Sequence, residues 1–230
     1  MGYRSHATAS STTGTLTCNK PAGVVSGDVL VAIIGYWNSA APITPPSGWT
    51  LGDSGANGGN AGAWYWKVAG GSEPSTYGWT FGGSVDESHV VLAAYTGVDN
   101  TTPVDVSSKK TDSTGDGGLV ATGVTMTGAG TLLFLAGSNA GYVISAPMAP
   151  PSGMTERAQV FGVEYGAAYL ADQEVAAAGA TGNKTATAES GTNTGPYTTF
   201  LVALKVSAGG GGGGAKRRRI HPRTGSRLRL

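Results

Sequence analysis

Gly27-Asp28-Val29-Leu30-Val31-Ala32-Ile33-Ile34-Gly35-Tyr36-Trp37 is the stretch on which the reading of the fold turns. Gly27-Asp28 supplies a tight turn, and the run behind it is apolar, rich in Val and Ile, and closed by two aromatic residues. The run from Val29 to Tyr36 is the longest apolar stretch of the chain and is too short to cross a bilayer. A short continuous apolar run bounded by turn residues reads as a buried strand. Its period of two puts Val29, Val31 and Ile33 on one face, and these residues are expected in the core of the first half together with Trp49.

The surrounding chain has the same character. Apolar residues come in short runs broken by Gly, Pro, Asn and Asp, and strands are expected at 14–18, 28–37, 61–69, 77–82, 88–97, 118–126, 130–138, 162–172, 184–189 and 197–206. Residues 167–180 have enough alanine to be partly helical. Glycine, 39 of 230 residues, is far above its usual share, which suits short strands and tight turns.

The second half repeats the first in order. Val29-Leu30-Val31-Ala32 matches Leu132-Leu133-Phe134-Leu135, Pro45-Pro46-Ser47-Gly48 matches Pro150-Pro151-Ser152-Gly153, and Tyr65 matches Tyr169. Val90-Val91-Leu92-Ala93 matches Phe200-Leu201-Val202-Ala203 more loosely, which calls for a longer loop within 176–194. The expected fold is all-β, a jelly-roll-like β-sandwich built from two pseudo-repeats that bury their apolar faces against one another. Residues 1–107 would form the first repeat, 108–117 a connecting loop, 118–207 the second repeat, 208–215 a glycine linker and 216–230 a basic arm.

The charge divides the same way. The first 215 residues carry eight Lys or Arg against all fourteen Asp and Glu, whereas the arm carries Lys216, Arg217, Arg218, Arg219, Arg223, Arg227 and Arg229 and no acid. A single cysteine, Cys18, excludes an internal disulfide framework and leaves the redox compartment open. The N-terminal ten residues are polar and read as a loose end without a signal-peptide core, so a soluble product made in the cytoplasm is expected.

Five tryptophans lie in the first repeat at 37, 49, 64, 66 and 79. Trp64 and Trp66 share a strand face, and two readings stand: core residues, or with Trp37 a platform on which sugar rings or a neighbouring protein stack.

Pro21 to Ala32, Pro46-Ser47-Gly48-Trp49-Thr50, Trp64-Tyr65-Trp66-Lys67-Val68-Ala69, Glu73-Pro74, Tyr77-Gly78-Trp79-Thr80-Phe81, Ala93 to Asp99 and Pro103-Val104-Asp105 follow one another in the first repeat. In that order they resemble a family of β-domains found in minor tail proteins and other virion proteins of bacteriophages of Gram-positive, especially actinobacterial, hosts. The resemblance covers about residues 20–106 and the second repeat poorly. It implies a structural protein of the virion and no catalytic residues.

Little in the sequence suggests catalysis. His6 and His221 lie near the termini, His89 reads as an exposed strand residue beside Asp86 and Glu87, and no nucleophile elbow, zinc-protease motif, P-loop or dinucleotide fingerprint occurs. The acids Glu73, Asp86, Glu87, Glu156, Glu164 and Glu174 show no spacing that selects a glycosidase pair. Residues 112–118 offer two carboxylates but fewer ligands than a calcium loop needs, so no metal or other cofactor is expected.

Gly209 to Gly214 form a tether with a random-coil span of roughly 13 Å, followed by the arm. Three readings compete for the arm: contact with nucleic acid, docking on an acidic partner, and a solvated end. Ile220, Pro222, Leu228 and Leu230 among the charges favour docking on other virion proteins, and a homo-oligomer within a symmetric assembly is expected. The lead expectation is thus a non-enzymatic minor tail protein at the tail tip, with a capsid decoration protein and a carbohydrate-binding module for cell-wall glycans as alternatives.

Overall fold

A computed structural model describes all residues except 39–40, 114–117, 140–147, 162–165, 189–194 and 208–230. The described chain is all-β. Its first half contains β1 (Gly2–Ser11), β2 (Thr15–Asn19), β3 (Val29–Trp37), β4 (Ile43–Thr44), β5 (Thr50–Asn57), β6 (Asn60–Val68), β7 (Thr76–Phe81) and β8 (Ser88–Thr96). The second half contains β9 (Val104–Asp112), β10 (Gly118–Ala121), β11 (Thr125–Met126), β12 (Gly130–Asn139), β13 (Met148–Ala149), β14 (Thr155–Phe161), β15 (Ala167–Val175), β16 (Gly179–Ala180), β17 (Lys184–Ala188) and β18 (Tyr197–Lys205).

Each half is a complete sandwich. In the first, a sheet ordered β1-β8-β3-β6-β5 faces a sheet ordered β2-β7-β4, and in the second β9-β18-β12-β15-β14 faces β10-β17-β13. The chain alternates between two antiparallel sheets so that strands distant in sequence become neighbours, which is jelly-roll topology. The short β11-β16 ladder has no equivalent in the first half among the described residues.

Registers and bulges fix the correspondence between the halves. Tyr3 faces Tyr95 just before a bulge, as Val104 faces Leu204, and Leu51 faces Tyr65 just before another, as Glu156 faces Ala171. On the central strands, Ala32 lies opposite both Tyr65 and Leu92, as Phe134 lies opposite both Ala171 and Leu201. The Pro-Ser-Gly turns correspond as expected: Trp49 N–H donates to the Pro46 carbonyl and Met154 N–H to the Pro151 carbonyl, with Gly48 and Gly153 at φ 82° and 78°.

Three expected pairings need correction. Leu30 corresponds to Leu132 rather than Leu133, Tyr65 to Ala171 rather than Tyr169, and Leu92 to Leu201 rather than Val202. The first and third are one-residue slips, which would turn every side chain of the strand to the wrong face.

The four sheets stack in layers, with the two five-stranded sheets back to back in the middle. Leu30, Ala32 and Ile34 pack with Leu16, Cys18, Tyr77 and Trp79 inside the first sandwich, and Leu132, Phe134 and Ala136 occupy the same place in the second. Val29, Val31 and Ile33 do share a face, but it packs against Leu133, Leu135, Leu170, Phe200 and Val202 of the second half. They therefore belong to a core shared by the repeats, whereas Trp49 lies within the first sandwich as expected. Burial on both faces explains why β3 is an unbroken apolar run.

The contacts between the halves are reciprocal, as a two-fold relation requires: β1 touches β14 and β5 touches β9, while β8 touches β15 and β6 touches β18. Near the centre, the position a Gly137 Cβ would occupy lies 2.9 Å from Gly62 Cα and the Ile34 carbonyl oxygen, so the sheets approach there to a distance that only glycine permits.

Other expectations are revised. The N-terminus is strand β1, paired along its length with β8, rather than a loose end. Residues 108–112, assigned to the connecting loop, continue β9, which pairs with β18 as the edge strand of the second repeat. The second repeat thus begins near Val104. The alanine-rich 167–175 segment is β15, because its alanines fit between close-packed sheets and partners lie on both sides. β5 and β14 lie outside the expected strands: β5 is largely exposed with no apolar alternation, and β14 opens on the polar run Thr155-Glu156-Arg157. No described helix is long and apolar enough to cross a membrane.

Candidate functional site

Trp64 is 1% exposed and points into the core between the repeats, so it cannot serve as a stacking platform. Trp49 and Trp79 are likewise buried and pack edge to face, 5.4 Å between ring centroids. Trp66 is half-buried on the same face as Trp64, at the margin of the shared core. Trp37 is half-buried at the end of β3, its ring against Gly59. The three candidates therefore form no common exposed surface. Lys216, Arg217, Arg218, Arg219, Arg223, Arg227 and Arg229 lie outside the described residues.

The shared core ends in a polar cluster on one side. Arg157 Nε lies 2.9 Å from each oxygen of Asp172, Tyr95 donates to Asp172 Oδ2 at 3.0 Å, and the guanidinium of Arg157 sits 4.4 Å from the Tyr3 ring centroid. Burial, reinforced by the Asp172 charge, raises the Tyr95 hydroxyl well above its usual range. The equivalent positions on the other side are Val104, Leu204, Gly52 and Trp66, which are apolar. The two ends of one interface thus differ in chemistry.

The histidines are dispersed. His6 lies on β1 with its Nδ1 2.6 Å from the Tyr3 hydroxyl. His89 is fully buried rather than exposed, since β1 and β3 cover it on both sides, and its Nδ1 lies 2.9 Å from Ser10 Oγ. His221 lies outside the described residues. Burial pushes the Cys18 thiol up to about 12, which removes it as a nucleophile at neutral pH. Among the described residues no group of three His, Cys, Asp or Glu side chains could hold a metal. Asp112 pairs with Lys110 at 2.9 Å, and residues 114–117 of the acidic loop lie outside the described residues.

A second pair of equivalent places flanks the Pro-Ser-Gly turns. In the first repeat, Glu73 Oε2 accepts from Lys67 Nζ at 2.8 Å and from the Tyr77 hydroxyl at 2.6 Å, while Oε1 accepts from Gly70 N–H at 2.7 Å. Gly48 borders Lys67, as Gly153 borders Gln173. In the second repeat, Gln173 takes the place of Lys67 and Lys184 that of Tyr77, and Lys184 Nζ donates to Gln173 Oε1 at 3.2 Å. There the two side chains border a cavity of about 250 Å³, walled by Leu132, Val175 and residues 177–181.

No family model, curated protein or solved structure matches this chain. The site residues therefore rest on geometry. Sequence reasoning missed Gln173 and Lys184, because only the observed register aligns them with Lys67 and Tyr77.

Proposed function

We propose that this protein is a structural component of a bacteriophage virion, a minor tail protein at the tail tip that contributes to assembly or host adsorption. The observation that carries the reading is that the motifs resembling virion β-domains, apart from Pro103-Val104-Asp105 at the start of β9, fall on turns and strands of one complete jelly roll. Trp49, Tyr77, Trp79 and Tyr95 are buried there, and Gly27 and Gly48 occupy positive-φ turns. The resemblance thus follows a folding unit rather than scattered composition. Fold alone does not carry function, so the reading leans on those motifs and on the basic arm.

In this reading the tandem sandwich is a rigid body, and residues 216–230 fasten it to an acidic neighbour through the glycine tether. A capsid decoration protein anchored by the same arm is the nearest alternative. A carbohydrate-binding module is less favoured, because Trp64 is unavailable to a ligand.

Mass spectrometry and cryo-EM of purified particles test the proposal, with the chain expected at the tail tip. Density on the capsid would replace the tail reading by the decoration reading, and absence from particles would overturn both. Deleting residues 209–230 is expected to leave the melting temperature nearly unchanged while weakening incorporation. Normal incorporation of the truncated chain would remove the arm as the fastening element.

A further inference from the structure

The two repeats place the same architecture around two different local solutions. In the first repeat, the loop between β6 and β7 folds Glu73 back onto Lys67 and Tyr77, and its carboxylate fills the space beside the Pro-Ser-Gly turn. In the second repeat, the corresponding loop, residues 176–183, contains no acid. Both loops are tied to the segment that precedes the central strand: Lys20 N–H donates to the Ser75 carbonyl at 2.8 Å in the first repeat, and in the second β16 pairs with β11 and Thr181 N–H donates to the Val124 carbonyl at 2.9 Å. The second loop supplies no counterpart of Glu73, and its residues 177–181 line a cavity beside Gln173 and Lys184, which stand in the places of Lys67 and Tyr77.

The donors survive this change. Lys184 brings an ammonium group and Gln173 an amide to the positions of the Tyr77 hydroxyl and the Lys67 ammonium. Among the described residues, no carboxylate pairs with Lys184. Leu132, Val175 and Ala178 provide an apolar wall for methylene groups.

We propose that this cavity binds a glutamate side chain presented on a peptide segment of a partner protein, with the carboxylate on Lys184 and Gln173 and the methylenes against the Leu132 wall. The choice of a peptide glutamate follows from the occupant of the equivalent place, Glu73, which reaches its site from the loop segment Ser72-Glu73-Pro74. The proposal does not depend on where the protein works. One ion pair and a small apolar contact imply weak binding, with a Kd on the order of 1 mM.

The test is an NMR titration of the isotope-labelled full chain with the peptide Gly-Ser-Glu-Pro-Ser, which copies residues 71–75. The same peptide with Gln for Glu, glutarate and galacturonate serve as comparison ligands. Shifts are expected at Gln173, Lys184 and residues 177–181 with the Glu peptide, reduced about tenfold in affinity with the Gln peptide or in a Lys184→Met variant of unchanged melting temperature. Lys184→Arg is expected to retain binding. Absence of localised shifts at about 10 mM peptide, or equal binding of the Glu and Gln peptides, would overturn the proposal. Tighter binding of galacturonate than of peptide would overturn the peptide assignment in favour of an acidic sugar.

Discussion

Tyr95, at the end of the first repeat, donates its hydroxyl hydrogen to Asp172 of the second across 3.0 Å, with both side chains buried. The same carboxylate takes Arg157, whose guanidinium rests on Tyr3. Removing the Tyr95 hydroxyl with Tyr95→Phe is expected to cost about 1.5–3 kcal/mol, as for a hydrogen bond to a charged group. Asp172→Asn is expected to cost about 3 kcal/mol, because it leaves the guanidinium without its counter-charge. Urea unfolding of both variants measures this, and losses under about 0.5 kcal/mol would show that the cluster is dispensable.

At the centre of the same interface, Gly137→Ala is expected to destabilise by at least about 1–3 kcal/mol. The new methyl group meets backbone atoms of β3 and β6 that cannot rotate aside. A melting temperature equal to that of the parent would mean that the sheets are not in the close contact described.

Glu73 gives a pH dependence with a definite sign. Burial alone would raise its carboxyl, but the hydrogen bonds from Lys67, Tyr77 and Gly70 and the charge of Lys67 outweigh that and hold it below the ordinary carboxylate value. The folded state therefore binds this proton more weakly than the unfolded chain. The stabilisation is full above the unfolded value and is lost as pH falls through the folded one. Glu73→Gln is expected to lower stability by about 1–3 kcal/mol at neutral pH, with the gap to the parent narrowing as pH falls below the ordinary carboxylate range. A gap independent of pH would assign the loss to packing rather than charge.

The repeats are expected to depend on each other. Residues 1–103 expressed alone expose Val31, Ile33, Trp64 and Val91, and residues 104–207 expose Leu133, Leu135, Phe200 and Val202. Each fragment is expected to self-associate, and mixing them is expected to give a one-to-one complex measurable by light scattering. Only the mixed pair brings Tyr3 and Tyr95 to Arg157 and Asp172. Two monomeric, independently stable fragments would contradict the shared core.

Much of this fold was legible in the residues. The apolar runs at 29–37, 88–96, 130–139 and 197–205 mark the central strands, and the Pro-Ser-Gly turns mark the duplication. β1, β5 and β14 were not legible, because edge strands pair on one side only and carry polar side chains at many positions. The cavity beside Lys184 was hidden for a different reason. It is recognised only against Lys67, Glu73 and Tyr77, and that comparison needs a register that an apolar run in a twice-buried strand does not specify.

The sequence by itself determined that the two repeats are β, where most of the central strands begin and end, and that the halves are copies. These are local properties: turn residues act within a few positions, and strand preference is carried by the side chains of one segment. Tertiary structure alone decided which face of β3 meets the other repeat, that β9 belongs to the second sheet, and that one copy folds a carboxylate into a place the other leaves open. In strands with both faces buried, inward and outward side chains are equally apolar, so the choice between faces is made by packing against distant strands.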